Sequence, residues 1–279
     1  MRLCLNLITV FRADLEEAVC AAAEAGFGAV ELWTDSLERY LEAHTIDELR
    51  GLLDAHRMEV LSIGDIESIT FRDAEQFDEL RSMFERLAVV ANAISCPTLV
   101  AGASVRPRDA DASRISEETA SVLGKLLDIT EPRGVGLALA FRGFIWCAVN
   151  SLEQAMEAVE KHSGRHIGLA LDTFDLHNTG VGPEMLKSLD PDRIHIMRLS
   201  DCEDVPAPML SETARVLPGE GCARLDSMLD ALREAGYSRP VSLKIPSPRL
   251  LSLDAAEAAK VVMAASERYF SCAQPEQRP

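Results

Sequence analysis

The segment IGLALDTFDLHNTG, residues 167–180, ends an apolar run on Asp172 and follows it with Asp175 and His177. A carboxylate delivered by a buried segment, beside a second carboxylate and an imidazole, suits either metal binding or proton transfer. Other apolar runs in the second half end on cations: Arg142 just after GLALAF (136–141), Arg198 in RIHIMRLS (193–200) and Lys244 in PVSLKI (240–245). A lone charge at the end of an apolar run is costly unless paired. Asp172, Arg198 and Lys244 are therefore expected to face one another, as a charge network or around an ionic ligand.

The elements that must position these groups repeat along the chain. An apolar run of strand length, a short loop and a helix-length amphipathic segment recur, which means βα units and a parallel sheet. Besides the three runs just named and 167–172, candidate strands are RLCLNLI (2–8), GAVELW (28–33), EVLSIG (59–64) and PTLVAG (97–102). Phe77, Leu80, Phe84, Leu87, Ala91 and Ile94 recur at helical spacing and predict a helix over about 73–95. Asp14 with Glu17, Ser151 with Gln154 and Asp254 with Glu257 read as helix starts, and Gly26 and Gly236 as helix stops. Eight such units, with no glycine-rich phosphate turn after the first strand, predict a (β/α)8 TIM barrel rather than a doubly wound sheet. One domain is expected over 1–270, with 271–279 as a flexible tail.

In a barrel the chemistry sits at the C-terminal ends of the strands. Those ends add Asn6, Glu31 and Trp33 as candidates, with Asn6 and Trp33 read as substrate contacts beside Arg142, Arg198 and His177. Each has a bland alternative. Glu31 could be a mouth carboxylate satisfied by a helix N-terminus, Trp33 a lid over the core, and His177 a partner for its own loop. Asp65 and Glu67 are expected on a solvated loop, and His195 on the face of its strand toward the helices. In RVLPGEG (215–221), Arg215 and Glu220 are candidate substrate contacts, against a reading in which Pro218, Gly219 and Gly221 only shape a turn and Glu220 caps a helix.

With 45 acidic against 28 basic residues and a formal charge of −17, the chain lacks the basic face that nucleic acid or an anionic membrane requires. No apolar stretch approaches a membrane span and no leader pattern opens the chain, so the expected location is the cytoplasm. The seven scattered cysteines show no metal or redox spacing and are read chiefly as packing residues.

EAGFGAVELW, IGLALDTFDLHNTG, RIHIMRLSD and RVLPGEGCARLDSMLDALREAGYSRPVSLKI, in that order and spacing, resemble the xylose isomerase-like TIM barrels, the sugar phosphate isomerase/epimerase superfamily. The resemblance implies a divalent metal (Mn, Mg, Co or Zn). Its ligands are a Glu ending the fifth strand, an Asp on the sixth, a His or Gln on the seventh and a Glu on the eighth, and the two glutamates move protons at adjacent carbons. It also implies a preference for a homo-oligomer. Here the four positions are Ala140, Asp172, Arg198 and Lys244, and Asp175 stands where a histidine often follows the Asp. Hard cations need several oxygen or imidazole donors, so no metal cofactor is expected, and Asp172 is expected to pair with Lys244 and Arg198.

Three functions are compatible with such a site. The first is a metal-independent isomerase, epimerase or lyase for a small anionic, sugar-like hydroxy-carbonyl compound, with Lys244, Asp172 and Asp175 catalytic and the arginines binding. The second is a non-catalytic descendant that binds a small anionic metabolite or a protein partner. The third is an ordinary metal-dependent isomerase whose site has moved. The endonuclease branch of the superfamily is excluded by the acidic surface.

Overall fold

The computed structural model describes residues 2–270. The eight expected strands all form and close into one parallel barrel. In chain order they are β1 (Leu3–Asn6), β2 (Ala29–Trp33), β3 (Glu59–Ile66), β4 (Thr98–Gly102), β5 (Gly136–Ala140), β6 (Ile167–Asp172) and β7 (Ile194–Leu199). Two short strands, β8 (Asp201–Cys202) and β9 (Arg215–Val216), pair as an antiparallel hairpin beyond β7, and β10 (Val241–Leu243) closes the barrel between β7 and β1. The (β/α)8 barrel read from the alternation is therefore the fold, and the hairpin is added to it. The tail 271–279 lies outside the described residues.

The helices begin and end where their sequences say. Asp73 accepts from the Gln76 N–H and starts the helix Ala74–Ala93, and Asp14, Ser151 and Asp254 cap their own first turns in the same way. Gly26 and Gly236 sit at φ 92° and 91°, the left-handed conformation that ends a helix cheaply only with glycine. Among the described residues no helix is long and apolar enough to cross a membrane.

Two apolar layers result. Outward-facing strand residues and the inner faces of the helices make the main core, while Cys4, Ala29, Val100, Ala138, Ala140, Ala170 and Ile196 fill the barrel itself. Above this interior the inward positions turn polar. Register aligns Asn6 with Glu31, Glu31 with Ser62, Asp172 with Arg198 and Arg198 with Ser242, so one polar layer caps the apolar interior at the C-terminal end.

Strict alternation fails at bulges. Between β3 and β4, Ile63 pairs Leu99 and Ile66 pairs Ala101, so three steps on one strand match two on the other. This extra residue lengthens β3 beyond the expected 59–64 and turns Asp65 into the barrel. A second bulge lies between β6 and β7, where Leu169 pairs Ile194 but Ala170 pairs Ile196. It places the His195 ring against Gly168, two residues before the inward Ala170, and not on the helix-facing side.

Candidate active site at the barrel mouth

The charged groups at the strand ends assemble into two linked clusters. In the first, the Arg198 guanidinium lies across Glu31 and Asp65. Its Nε is 3.1 and 3.2 Å from the two Glu31 oxygens, Nη2 is 2.8 Å from Glu31 Oε2, and Nη1 is 2.5 Å from Asp65 Oδ1. Asn6 Nδ2 at 3.1 Å and Ser62 Oγ at 2.6 Å complete the shell of Glu31, so Glu31 is satisfied by side chains and not by a helix N-terminus. Asn6 thus braces Glu31 and caps the turn that follows it through a bond from Ile8 N–H.

Asp65 is the hub. Besides Arg198 it accepts from Lys244 Nζ at 2.7 Å and Arg142 Nη2 at 2.9 Å. Burial opposes its ionisation, but the Arg198, Lys244 and Arg142 charges outweigh that and hold its carboxyl well below the usual range. Glu31 is likewise lowered, with the Arg198 charge and hydrogen bonds overcoming burial. Arg142 continues outward to Glu67 and, at 3.7 Å, to Glu212.

The second cluster centres on Arg215, which is fully buried. It donates to Asp172 Oδ1 at 2.8 Å, Ser200 Oγ at 2.9 Å and Glu212 Oε2 at 2.9 Å, and its guanidinium lies 4.2 Å over the Phe174 ring. Asp172 therefore pairs with Arg215, not with Lys244 and Arg198. The reason is steric order: the β8–β9 hairpin returns Arg215 over β6, while the bulge in β3 gives Lys244 and Arg198 a nearer carboxylate in Asp65. Sequence reading placed Asp65 and Glu67 in solvent. Glu67 is indeed exposed, but the Asp65 side chain is only 7% exposed, and both bind Arg142.

Asp175 accepts from Gly143 N–H at 2.7 Å, and its other oxygen lies 3.7 Å from Arg215 Nη2, outside hydrogen-bond reach. Burial, together with the Asp172 charge, raises its carboxyl to about 7 despite the opposing pull of Arg215. The folded state therefore holds this proton more tightly than the unfolded chain, whose Asp titrates near about 3.9. Stability from this group is fully present below about pH 4 and is lost as pH rises to about 7. Glu31, Asp65 and Glu212 act in the opposite sense, stabilising above the carboxylate range and losing that contribution as pH falls through it. Asp175→Asn keeps an oxygen for Gly143 and cannot ionise. Its melting temperature relative to the parent, measured by calorimetry, should rise from pH 5 to about pH 7 and then level off, and a constant difference across that range would refute the assignment.

Above these clusters opens a cavity of about 820 Å³. Lys244, Asp65, Arg142, Glu67 and Glu212 face it from below, and Phe11, Trp33, Phe144 and Trp146 line its sides. Asp172, Asp175, Arg198 and Arg215 do not line it; they hold the floor from behind. Trp33 does line it, packed edge-on to Phe11 with centroids 6.0 Å apart. His177 lies away from the cavity, its Nε2 3.5 Å from the Cys222 thiol. Glu220 faces outward and pairs with Arg249 at 2.8 Å. The LPGEG turn is built by Asp201, whose carboxylate accepts from the Cys202, Gly219 and Ala223 N–H groups. Cys147 and Cys202 are buried, which pushes their thiols up to about 11 and about 12 and fits the packing reading.

Sequence reasoning did not single out Phe11, Phe144, Trp146 or Glu212. The aromatic density of FRGFIWC just after β5 was a usable signal for two of them. Glu212 had none, because its place depends on how residues 203–214 fold back over the mouth.

The family model described as xylose isomerase-like TIM barrel matches residues 19–268. The chain belongs to that family. The inosose isomerase of Halalkalibacterium halodurans is 34% identical to this xylose isomerase-like barrel over 262 residues, 93% of each chain. That of Bacillus subtilis is 32% identical over 277 residues, 97% of this chain and 100% of its own. A crystal structure described as IOLI protein with a binding zinc atom matches with a TM-score of 0.92 at 32% identity, over 98% of this chain and 100% of that one. The sugar isomerase/epimerase-like character read from the motifs is thus shared with these relatives.

The zinc in that relative overturns the expectation that no metal cofactor belongs with this chain. The four positions the resemblance assigns to metal binding nonetheless form no ligand set as they stand. Ala140 has no donor, Arg198 and Lys244 are cations bound to carboxylates, and Asp172 alone offers an oxygen. Among the described residues no group of three or more His, Cys, Asp or Glu side chains is placed to hold a metal ion.

Proposed function

We propose that this xylose isomerase-like barrel is an enzyme that interconverts isomers of a cyclic polyhydroxy ketone of the inosose kind by moving a proton between adjacent carbons. One observation carries the reading: the Lys244–Asp65 pair, 2.7 Å long, forms the base of the cavity beside Arg142 and Glu67. The inosose isomerases that match nearly the whole chain support the substrate class. An anionic substrate, expected from Arg198 and Lys244, is not favoured, because Lys244 and Arg142 are already neutralised by Asp65, Glu67 and Glu212. Paired charges instead offer alternating donors and acceptors, which suit a neutral polyol.

Lys244 carries three donors and gives one to Asp65, so its ammonium can also meet the ketone oxygen. Glu67, on the cavity side of Arg142, takes the proton from the neighbouring hydroxyl-bearing carbon. The freed electron pair forms the C=C bond and the carbonyl pair moves to oxygen, giving an enediolate whose charge Lys244 and Arg142 oppose. Returning the proton to the former carbonyl carbon, as the neighbouring hydroxyl passes its own proton to the former carbonyl oxygen, moves the carbonyl by one position. Returning it to the opposite face of the original carbon inverts that centre.

Incubation with an inosose in D2O, with and without added zinc, followed by proton NMR, tests this. Exchange of the protons beside the ketone and growth of an isomeric ketone are expected. Glu67→Gln should slow both by about 10²–10⁴-fold. No exchange under either condition sinks the enzyme reading and leaves a ligand-binding barrel.

A further inference from the structure

We propose that the cavity holds a second, aromatic subsite above its charged floor, which binds an aryl group carried by the ring polyol. This rests on the floor being a ring-polyol site, and adds a substrate class that the inosose reading does not contain.

Size is the first argument. Even at the roughly 30 Å³ that each molecule takes in liquid water, the dozen or so heavy atoms of a six-carbon ring ketone fill less than half of the 820 Å³. Lining chemistry is the second. Lys244, Asp65, Arg142, Glu67 and Glu212 sit together at the base, whereas the remaining wall, apart from Asp35 and Arg72, is largely apolar and includes two aromatic pairs. Phe11 follows the 3-10 turn (Leu7–Val10) after β1 and Trp33 ends β2, while Phe144 and Trp146 come from the loop after β5, on the opposite side of the barrel. Phe144 and Trp146 are stacked, with centroids 4.5 Å apart and planes 11° from parallel.

Exposure is the third argument. Trp146 is 52% exposed at the mouth, and its neighbours Ile145 and Val105 are 84% and 65% exposed. The Trp146 backbone is held by the Arg106 N–H and the adjacent Cys147 pairs with Val105, so the indole is presented by braced backbone. A flat apolar group placed between the two pairs would stack on aromatic faces and cover indole surface now in water. A bare polyol would leave that surface wet.

Calorimetric titration with phenyl β-D-glucopyranoside and methyl β-D-glucopyranoside, run beside the inosose assay, tests the subsite. The phenyl compound should bind about 10- to 100-fold more tightly. Trp146→Ala should collapse this ratio toward one, and Trp146→Phe should restore most of it, which separates stacking from general loss of structure. Equal affinities, or no binding of either compound, overturn the subsite even if inosose is converted. A phenyl preference in a protein that leaves inosose unchanged upholds the subsite and removes the isomerase reading.

Discussion

Lys244→Met should lower kcat for inosose isomerisation by roughly 10²–10³-fold, the usual cost of removing one preorganised donor from a developing oxyanion. Methionine keeps most of the length of the side chain and none of its charge. Asp65 would retain Arg198 and Arg142, so the floor should stay assembled and the loss should fall on the reacting oxygen. Because the interaction strengthens as charge moves to oxygen, kcat and kcat/KM should fall together with little change in KM. Steady-state kinetics on protein of parental melting temperature give the result. Conversion within tenfold of the parent would place Lys244 outside the chemistry and return attention to the carboxylates.

Arg198→Met should destabilise the fold by about 3–5 kcal/mol, the cost of leaving a buried charge without its partner. Arg198 is 1% exposed and supplies four hydrogen bonds to Glu31 and Asp65. Glu31 would keep only Asn6 and Ser62, both neutral. At about 2–4 °C per kcal/mol for a chain of this order, the melting temperature should fall by at least about 6 °C. The deficit should shrink as pH drops into the carboxylate range, because protonating Glu31 removes the orphaned charge. Adding Glu31→Gln to Arg198→Met should recover part of the loss at neutral pH. If the double variant is no more stable than the single one, the cost lies in lost packing and not in the stranded carboxylate.

Both predictions turn on Asp65, whose place strand periodicity does not reveal. Lys244, Arg198 and Asp172 were rightly taken as charges needing partners, because each ends an apolar run. The partner itself was misassigned. Alternation along EVLSIG ends the strand at residue 64 and leaves Asp65 in a loop. The bulge between Ile63 and Ile66 keeps the strand going and turns Asp65 inward. His195 was misplaced for the same reason, by the bulge that sets Ile196 and not His195 opposite Ala170.

The sequence by itself determined the strands, the caps, the helix stops and the barrel. These follow from periodicity and from local hydrogen bonding, both carried by neighbours in the chain. It also determined which end of the barrel is polar, since the charges fall at the strand ends. Only the tertiary structure decided which charges meet. Glu31 and Arg198 are 167 residues apart, Asp65 and Lys244 179, and Asp172 reaches Arg215 only because a hairpin folds back over the mouth. A one-residue shift of register moves a side chain from one face of a sheet to the other. Such shifts come from how two strands fit, and no single strand records them.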